Sequence, residues 1–345
     1  MGPISNLMYL AASRALDRGM QFVVAKQGGD GLWRDFLTPA GEASSWPSGF
    51  IGAALHLAGA ETGVLQKALV TLIANQGADG GWGYNESTPS DADSTACALL
   101  FLARMGHKGD VCERAASCLV RHQRHSGGVA TYHEPGPIRR FMDVGRWMRF
   151  KGWCHPHIEV TAMAGRALAA LSPEDWSSEI DAAWRYVKLQ QRAEGNWNSY
   201  WWTSPHYSTL QAVELASFMR DESCIGRAAE AVVQCQSEHG DWAAPGAATS
   251  AFATALSLSI LLCAKGHPQQ VSRAVQRLVE LQDDDGGWPS HPIMRIPLPG
   301  TVDPDRPQRW LFVSFAGGIV VRDQNRTFTS AACLTALAQA KAAMG

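Results

Sequence analysis

The chain has 345 residues, of which 46% are hydrophobic and 18% charged, with a formal net charge of −2. This is a globular, core-rich composition with room for one large domain or two, and it gives no electrostatic reason to expect a nucleic-acid partner. The N-terminus carries no basic-then-apolar signal pattern, and the longest apolar run, residues 251–264, is too short to cross a bilayer. The eight cysteines form no C-x-x-C pair and fall mostly in apolar runs. They are expected as small buried hydrophobes in a reducing, cytoplasmic compartment.

One pattern recurs along the chain: Gln, three residues, Gly, one residue, Trp. It stands at Gln27-Gly31-Trp33, Gln76-Gly80-Trp82, Gln191-Gly195-Trp197, Gln236-Gly240-Trp242 and Gln282-Gly286-Trp288. A further copy, Gln123-Gly127-Val129, has lost its Trp. Successive Gln spacings are 49, 47, 68, 45 and 46 residues, so the third unit carries an insertion of about 20 residues. Each unit leads into its Gln with an apolar-periodic helix, turns at the Gly, and continues into an Ala- and Leu-rich helix that opens with Ser or Thr.

Six helix pairs cannot each bury an apolar face alone, so neighbours must stack. The small second helices suit a crowded inner ring. An all-α fold is expected, an α6–α6 toroid with the first helices outside. Residues 1–345 form one domain in this reading, with insertions at about 130–157 and 290–327. An open solenoid is the alternative, but neither end shows a polar capping repeat. The Gln is expected to cap backbone groups, and the Trp to pack over the turn.

The stretch Ser90-Asp91-Ala92-Asp93-Ser94-Thr95 opens the second of these inner helices. Short polar side chains there read as a helix cap. Aligning the inner helices on Ser48, Thr95, Thr161, Thr209, Ser250 and Ser330 places Trp46, Asp93, Glu159, Tyr207, Ala248 and Phe328 two residues earlier. In a closed toroid these form a ring at one mouth. Two neighbouring carboxyls there would share a proton, and an acid kept protonated in an apolar pocket is a general acid. Aromatic faces stabilise a cation and exclude water. Trp197, Tyr200, Trp201 and Trp202 are expected to add to this lining.

The first insertion carries Arg139, Arg140, Arg146, Arg149 and Lys151, with Trp147 and Trp153. It reads either as a mouth-covering loop whose Arg139 and Arg140 hold a diphosphate or carboxylate, or as a solvated basic face. The second is Pro-rich, then apolar from Trp310 to Val321. It is expected to line the pocket, form a lid, or dip into a membrane surface as a peripheral contact. Asp283-Asp284-Asp285 reads as a solvated turn. There is no phosphate loop, H-E-x-x-H or nucleophile elbow, so no metal or cofactor is expected.

The Gln-Gly-Trp repeat resembles the QW motif of squalene–hopene and oxidosqualene cyclases and of other class II terpene cyclases. Asp91-Ala92-Asp93-Ser94-Thr95-Ala96 is similar to their D-x-D-D-T-A motif, with Ser94 in place of the third Asp. Ile158-Glu159-Val160-Thr161-Ala162 is similar to the squalene–hopene segment with a carboxylate before V-T-A; Met163 stands where that family has His. The resemblance implies that Asp93 protonates an alkene or epoxide of an isoprenoid or prenylated substrate. It also implies that Asp91, Ser94, Thr95 and Glu159 tune or hydrogen-bond this acid, and that aromatic residues stabilise the cations of a polyene cyclisation. Larger members have two helical domains, so the chain resembles a single-domain type. Protein prenyltransferase β subunits share the toroid, but the Asp-x-Cys of their zinc site has no counterpart at Cys263 or Cys333. Two other readings stay open: a non-catalytic toroid that binds a hydrophobic ligand, and an acid-catalysed cyclase of a non-terpenoid metabolite. The oligomeric state is not readable.

Overall fold

The computed structural model of the chain describes residues 6–305 and 318–344. In chain order the helices are α1 (Asn6–Ala25), α2 (Ser45–Ala58), α3 (Thr62–Ala74), α4 (Ala92–Arg104), α5 (Asp110–His122), α6 (Pro135–Phe141), α7 (Ile158–Leu171), α8 (Ser177–Leu189), α9 (His206–Phe218), α10 (Glu222–Gln234), α11 (Ala251–Ala264), α12 (Pro268–Glu280) and α13 (Thr327–Met344). Helices α2, α4, α7, α9, α11 and α13 each pack on the next, and α13 packs back on α2. The ring is therefore closed, and the open solenoid is excluded. Helices α1, α3, α5, α8, α10 and α12 lie outside it.

The sequence sorts the helices into these two layers. Residues 251–261 of α11 are all buried, as an inner helix with no polar face must be. The outer α12 buries only Ala274, Val275 and Leu278. The turns join the layers. In every repeat the Gln amide donates twice, to the Gly carbonyl of its own turn and to a carbonyl of the next outer helix. Gln27 reaches Gly31 and Val64 at 2.8 and 2.9 Å. Gln282, in the last turn, reaches Gly286 and Ala15 of α1, both at 2.8 Å, so the pattern runs around the whole ring. Each indole N–H donates to a carbonyl near the end of its own outer helix, as Trp33 does to Val23 at 2.8 Å. The repeat glycines all have φ between 85 and 99°. At Gly127 a Cβ would stand 2.1 Å from the Ala182 carbonyl oxygen, so glycine is required twice over.

A third recurring bond fixes the register of the inner ring. The backbone N–H at the Trp position donates to an inner-helix hydroxyl: Ser48, Thr95, Thr161, Thr209, Thr254 or Ser330. In the fifth repeat this is Thr254, not the expected Ser250. Ser250 is instead the N-cap of α11, accepting from Ala253 N–H at 3.0 Å. The ring position there moves by four residues, from Ala248 to Phe252.

The two excursions meet. Gly152 N–H donates to the Pro299 carbonyl at 2.8 Å, and the Trp153 indole to that of Pro297 at 2.8 Å. Together they cover the mouth at the inner-helix N-termini, where Ile138, Phe150, Trp153 and Tyr200 form a small apolar cluster. Beyond them, β5 (Met294–Ile296) pairs antiparallel with β6 (Ile319–Val321); the four earlier strands make two more such ribbons. Most of the Trp310–Val321 run lies outside the described residues. The Asp283–Asp285 turn is not merely solvated, because Arg326 pairs with both Asp283 and Asp285. No described helix is long and apolar enough to cross a membrane.

Candidate active site

Asp91 is the N-cap of α4. Its carboxylate accepts from Ser94 N–H at 2.7 Å and from the Ser94 hydroxyl at 2.8 Å. Thr95 is turned away, donating to the Asp91 carbonyl at 2.6 Å and receiving the Trp82 N–H. The helix start thus uses up Asp91, Ser94 and Thr95 on each other and on the turn. None of them hydrogen-bonds Asp93, contrary to expectation.

Asp93 points the other way. Its Oδ1 is buried without a hydrogen-bond partner among the described residues. By area the residue as a whole is half-buried. Burial first, and then the charges of Asp91 and Glu159, push its pKa well above the usual carboxylate range. A carboxyl in this setting holds its proton with nothing to stabilise the anion.

Glu159, at the same ring position on α7, is the opposite case. It is fully buried, and Oε1 accepts from the N–H groups of Tyr200 and Trp201 at 2.7 and 2.8 Å. Oε2 accepts from the Ser208 hydroxyl at 3.1 Å. Burial raises its pKa, and these three donors work against the shift. The pair acts on each other through charge; no hydrogen bond carries a shared proton between them. His157 forms the back of this corner, stacked on Tyr200 at 3.8 Å and bonded to the Thr131 hydroxyl at 3.0 Å. Burial, then His155, drives its pKa down to about 3, so it is neutral.

The loop that Glu159 grips delivers Trp202 to the centre of the ring. Trp202 stacks on Tyr207 at 4.1 Å, Phe328 at 5.4 Å and Phe252 at 5.5 Å, and meets Trp46 edge-on at 6.1 Å. Phe36 and Phe50, which sequence reasoning missed, complete the cluster against Phe328 at 5.3 and 4.1 Å. The ring therefore holds two carboxyls and four aromatics, with the Tyr207 hydroxyl and Trp202 indole N–H also unpartnered.

Other expected residues fall elsewhere. Trp197 makes the same indole bond as the other turn tryptophans, to Val187 at 2.7 Å, and belongs to the turn. Trp147 is 78% exposed. Arg140 is exposed, while Arg139 lies over Phe150 and donates to the Met148 carbonyl at 3.1 Å, holding the insertion together. Trp153 stands behind Trp201, 5.6 Å away, in the cover. Trp201 itself is partly buried, its indole donating to Thr131 at 2.8 Å.

A small cavity of about 40 Å³ lies one turn below the ring, among the inner helices. Phe50, Cys97, Met163, Gln211, Leu256 and Ala332 line its upper part, each three to five residues beyond a ring position. Further down stand Arg104, Arg166 and Glu214.

A closed α/α toroid whose ring of inner-helix N-termini carries two acids and a cluster of aromatics has the architecture of a class II terpene cyclase. Residues 91–301 match the squalene-hopene cyclase C-terminal domain family, and the chain belongs to that family. It is 32% identical over 145 residues to a drimenyl diphosphate synthase of Streptomyces showdoensis, covering 37% of this chain and 26% of that protein. It is 26% identical over 239 residues to the squalene–hopene cyclase of Bradyrhizobium diazoefficiens, covering 61% and 36%. The chain thus spans only about a quarter to a third of these relatives' length. The type II terpene cyclase MstE from Scytonema, solved as a variant with its substrate geranylgeranyl dihydroxybenzoate, superposes with a TM-score of 0.87 at 25% identity over 98% of this chain and 99% of that one. A protein from Actinoplanes superposes with a TM-score of 0.85 at 29% identity, over 95% and 99%.

Proposed function

We propose that this toroid is by itself the catalytic domain of a protonation-initiated cyclase acting on an isoprenoid or prenylated small molecule. One observation supports it above the others: Asp93 has a buried Oδ1 with no hydrogen-bond partner among the described residues, within reach of the charges of Asp91 and Glu159. A group so placed keeps its proton until substrate arrives, and the neighbouring negative charges stabilise the cation that forms in front of it. Asp93 transfers its proton to one carbon of a terminal alkene, and a tertiary cation forms at the other. Internal alkenes close on that cation in turn, each ring closure moving the charge along the chain. The last cation loses a proton, or takes up water and loses one. Trp46, Trp202, Tyr207, Phe252 and Phe328 present ring faces to the charge and keep water out. Asp91 acts as cap and as neighbouring charge, and Glu159 holds the loop that carries Trp202.

The test is incubation with farnesyl, geranylgeranyl and prenyl-arene substrates, with products read by mass spectrometry. Wild type is expected to give cyclic isomers or their hydrates. Asp93→Asn is expected to lose turnover by about two to four orders of magnitude, the usual worth of a positioned acid. Equal turnover by Asp93→Asn would remove the assignment. An isoprenoid held unchanged by wild type would favour the non-catalytic binding toroid.

A further inference from the structure

One aromatic beside the ring stands in a backbone conformation that its side chain disfavours. Phe36 belongs to a ribbon of β1 (Asp35–Thr38) and β2 (Gly41–Ala43), and its φ is 56°. Of the five non-glycine residues with left-handed φ among the described residues, it alone is fully buried. Asp35 pairs with Ala43 and Thr38 with Gly41, so Phe36 and Leu37 together stand opposite Glu42 in a β-bulge. The left-handed position of such a bulge is the usual place of a glycine, because a bulky side chain there is strained. The bulge turns Asp35 and Phe36 both inward and leaves Leu37 at the surface. Side chains hold the strained residue from both sides. Phe36 N–H donates to Asp35 Oδ1 at 3.2 Å, and the Tyr84 hydroxyl donates to the Phe36 carbonyl. Asp35 is fixed in turn by the N–H and hydroxyl of Thr327, at 3.1 and 2.6 Å. Strain that is held so firmly marks a place where geometry matters. Here it secures the position of one ring, which packs on Trp46 at 4.9 Å, Phe328 at 5.3 Å and Trp202 edge-on at 6.4 Å.

We infer that Phe36 is a positioning residue, held by Tyr84 and Asp35 so that Trp46 and Phe328 keep their tilt against Trp202. The inference rests on the cyclase reading for what those faces do. A glycine would make the same bulge without strain, so a phenylalanine kept there serves through its ring and not through the turn. Phe36 is itself fully covered and does not line the cavity, so its effect passes through the rings it touches. Trp46 and Phe328 hold ring positions on α2 and α13, the first and last inner helices, which pack on each other where the ring closes. Phe36 lies against both and fixes one relative to the other. The attraction of a cation to an aromatic face depends on where it sits over that face, and a loosened cluster admits water. Tyr84 follows the turn of the second repeat and acts through one backbone carbonyl of the first. The pair therefore sets the balance between full cyclisation and early capture of the cation.

The experiment uses two variants. Tyr84→Phe removes the hydroxyl and leaves every aromatic ring in place, and Phe36→Leu keeps most of the bulk and removes the ring. Folding is checked by far-ultraviolet circular dichroism, the tryptophan cluster by its near-ultraviolet bands, and the products from prenyl substrates by mass spectrometry. Both variants are expected to fold. Tyr84→Phe is expected to weaken the near-ultraviolet tryptophan bands and to lower kcat by about tenfold with KM unchanged, the rate equivalent of one hydrogen bond. The share of hydroxylated and part-cyclised products is expected to rise, and Phe36→Leu is expected to shift the products the same way. A wild-type product ratio in either folded variant would overturn the inference, since a residue that only fills space tolerates a change of similar bulk. The near-ultraviolet bands separate the two proposals. If they weaken in both variants while wild type yields no cyclised product, the positioning of the rings stands and the cyclase reading falls.

Discussion

Asp93 and Glu159 occupy the same position on adjacent inner helices, yet among the described residues Glu159 accepts three hydrogen bonds and Asp93 accepts none. The same residue chemistry at equivalent sites is thus set to opposite tasks by what faces it. One carboxyl is an anchor for backbone, and the other has no such task, as the proposed proton donor requires. The first predictions follow from that contrast.

Activity should fall as pH rises through the elevated pKa of Asp93, because only the protonated form donates. Glu159 raises that pKa through its charge, so Glu159→Gln should move the falling limb to lower pH. A pH–rate profile of the two proteins decides it, and a limb moved upward would contradict the arrangement.

Glu159→Ala should cost about 3 kcal/mol, because it strands two buried N–H groups, those of Tyr200 and Trp201. The loss should be local at first. Hydrogen exchange at residues 199–203 should accelerate more than in α7 itself, and Trp202 fluorescence should shift as the ring loosens.

Phe252→Leu should keep the fold, since a change of shape with nearly the same bulk costs under about 1.5 kcal/mol. It removes one π-face from the ring, so the product mixture should shift toward early-terminated or hydroxylated species. An unchanged product profile with normal turnover would take Phe252 out of cation stabilisation.

A second buried acid pair lies near the ring. Asp35 accepts from Thr327 and Asn325, and Asp323 accepts from Thr329 N–H at 2.7 Å. Burial and then Asp35 push the Asp323 pKa up to about 7. An unfolded aspartate loses its proton near pH 4, so between about 4 and 7 the folded chain binds more protons than the unfolded one. Stability contributed by this proton is full below about pH 4 and lost as pH rises through about 7. The melting temperature should decline across that window, and Asp323→Asn should flatten the decline.

Gly127→Ala should be severely destabilising, because φ is 88° and the new Cβ would meet the Ala182 carbonyl oxygen at 2.1 Å. Gly246→Ala serves as the comparison: its φ is 82°, but nothing lies within 4 Å. The second change should cost only the left-handed penalty of about 1–2 kcal/mol, and the difference between their melting temperatures measures the overlap.

The toroid was legible because a Gln, a Gly and a Trp recur at nearly constant spacing, and each has one backbone task that no other residue does as well. Asp93 was legible for the same reason, as an acid at a counted position. The ring register slipped in the fifth repeat because Thr249, Ser250 and Thr254 all resemble a helix start. The distance from the turn Trp would have resolved it, since Trp242 to Thr254 is 12 residues, as is Trp197 to Thr209. Phe36 and Phe50 sit outside the counted position, and pattern alone does not find them. The insertion's basic residues left two readings open, since a cluster in sequence carries no information about which way it faces.

The bond from Gln282 to the Ala15 carbonyl has one more consequence. Lys341 near the end of α13 donates to the Ser13 hydroxyl at 3.1 Å and lies over the Tyr9 ring, so the final helix runs alongside the first much as α2 does alongside α3. No repeat is topologically first. A circularly permuted chain, opened at the loop between α4 and α5 where Gly106 and Gly109 have no neighbours to disturb, and joined by a short linker from α13 to α1, would present the same six pairs in a different order and should fold to the same ring.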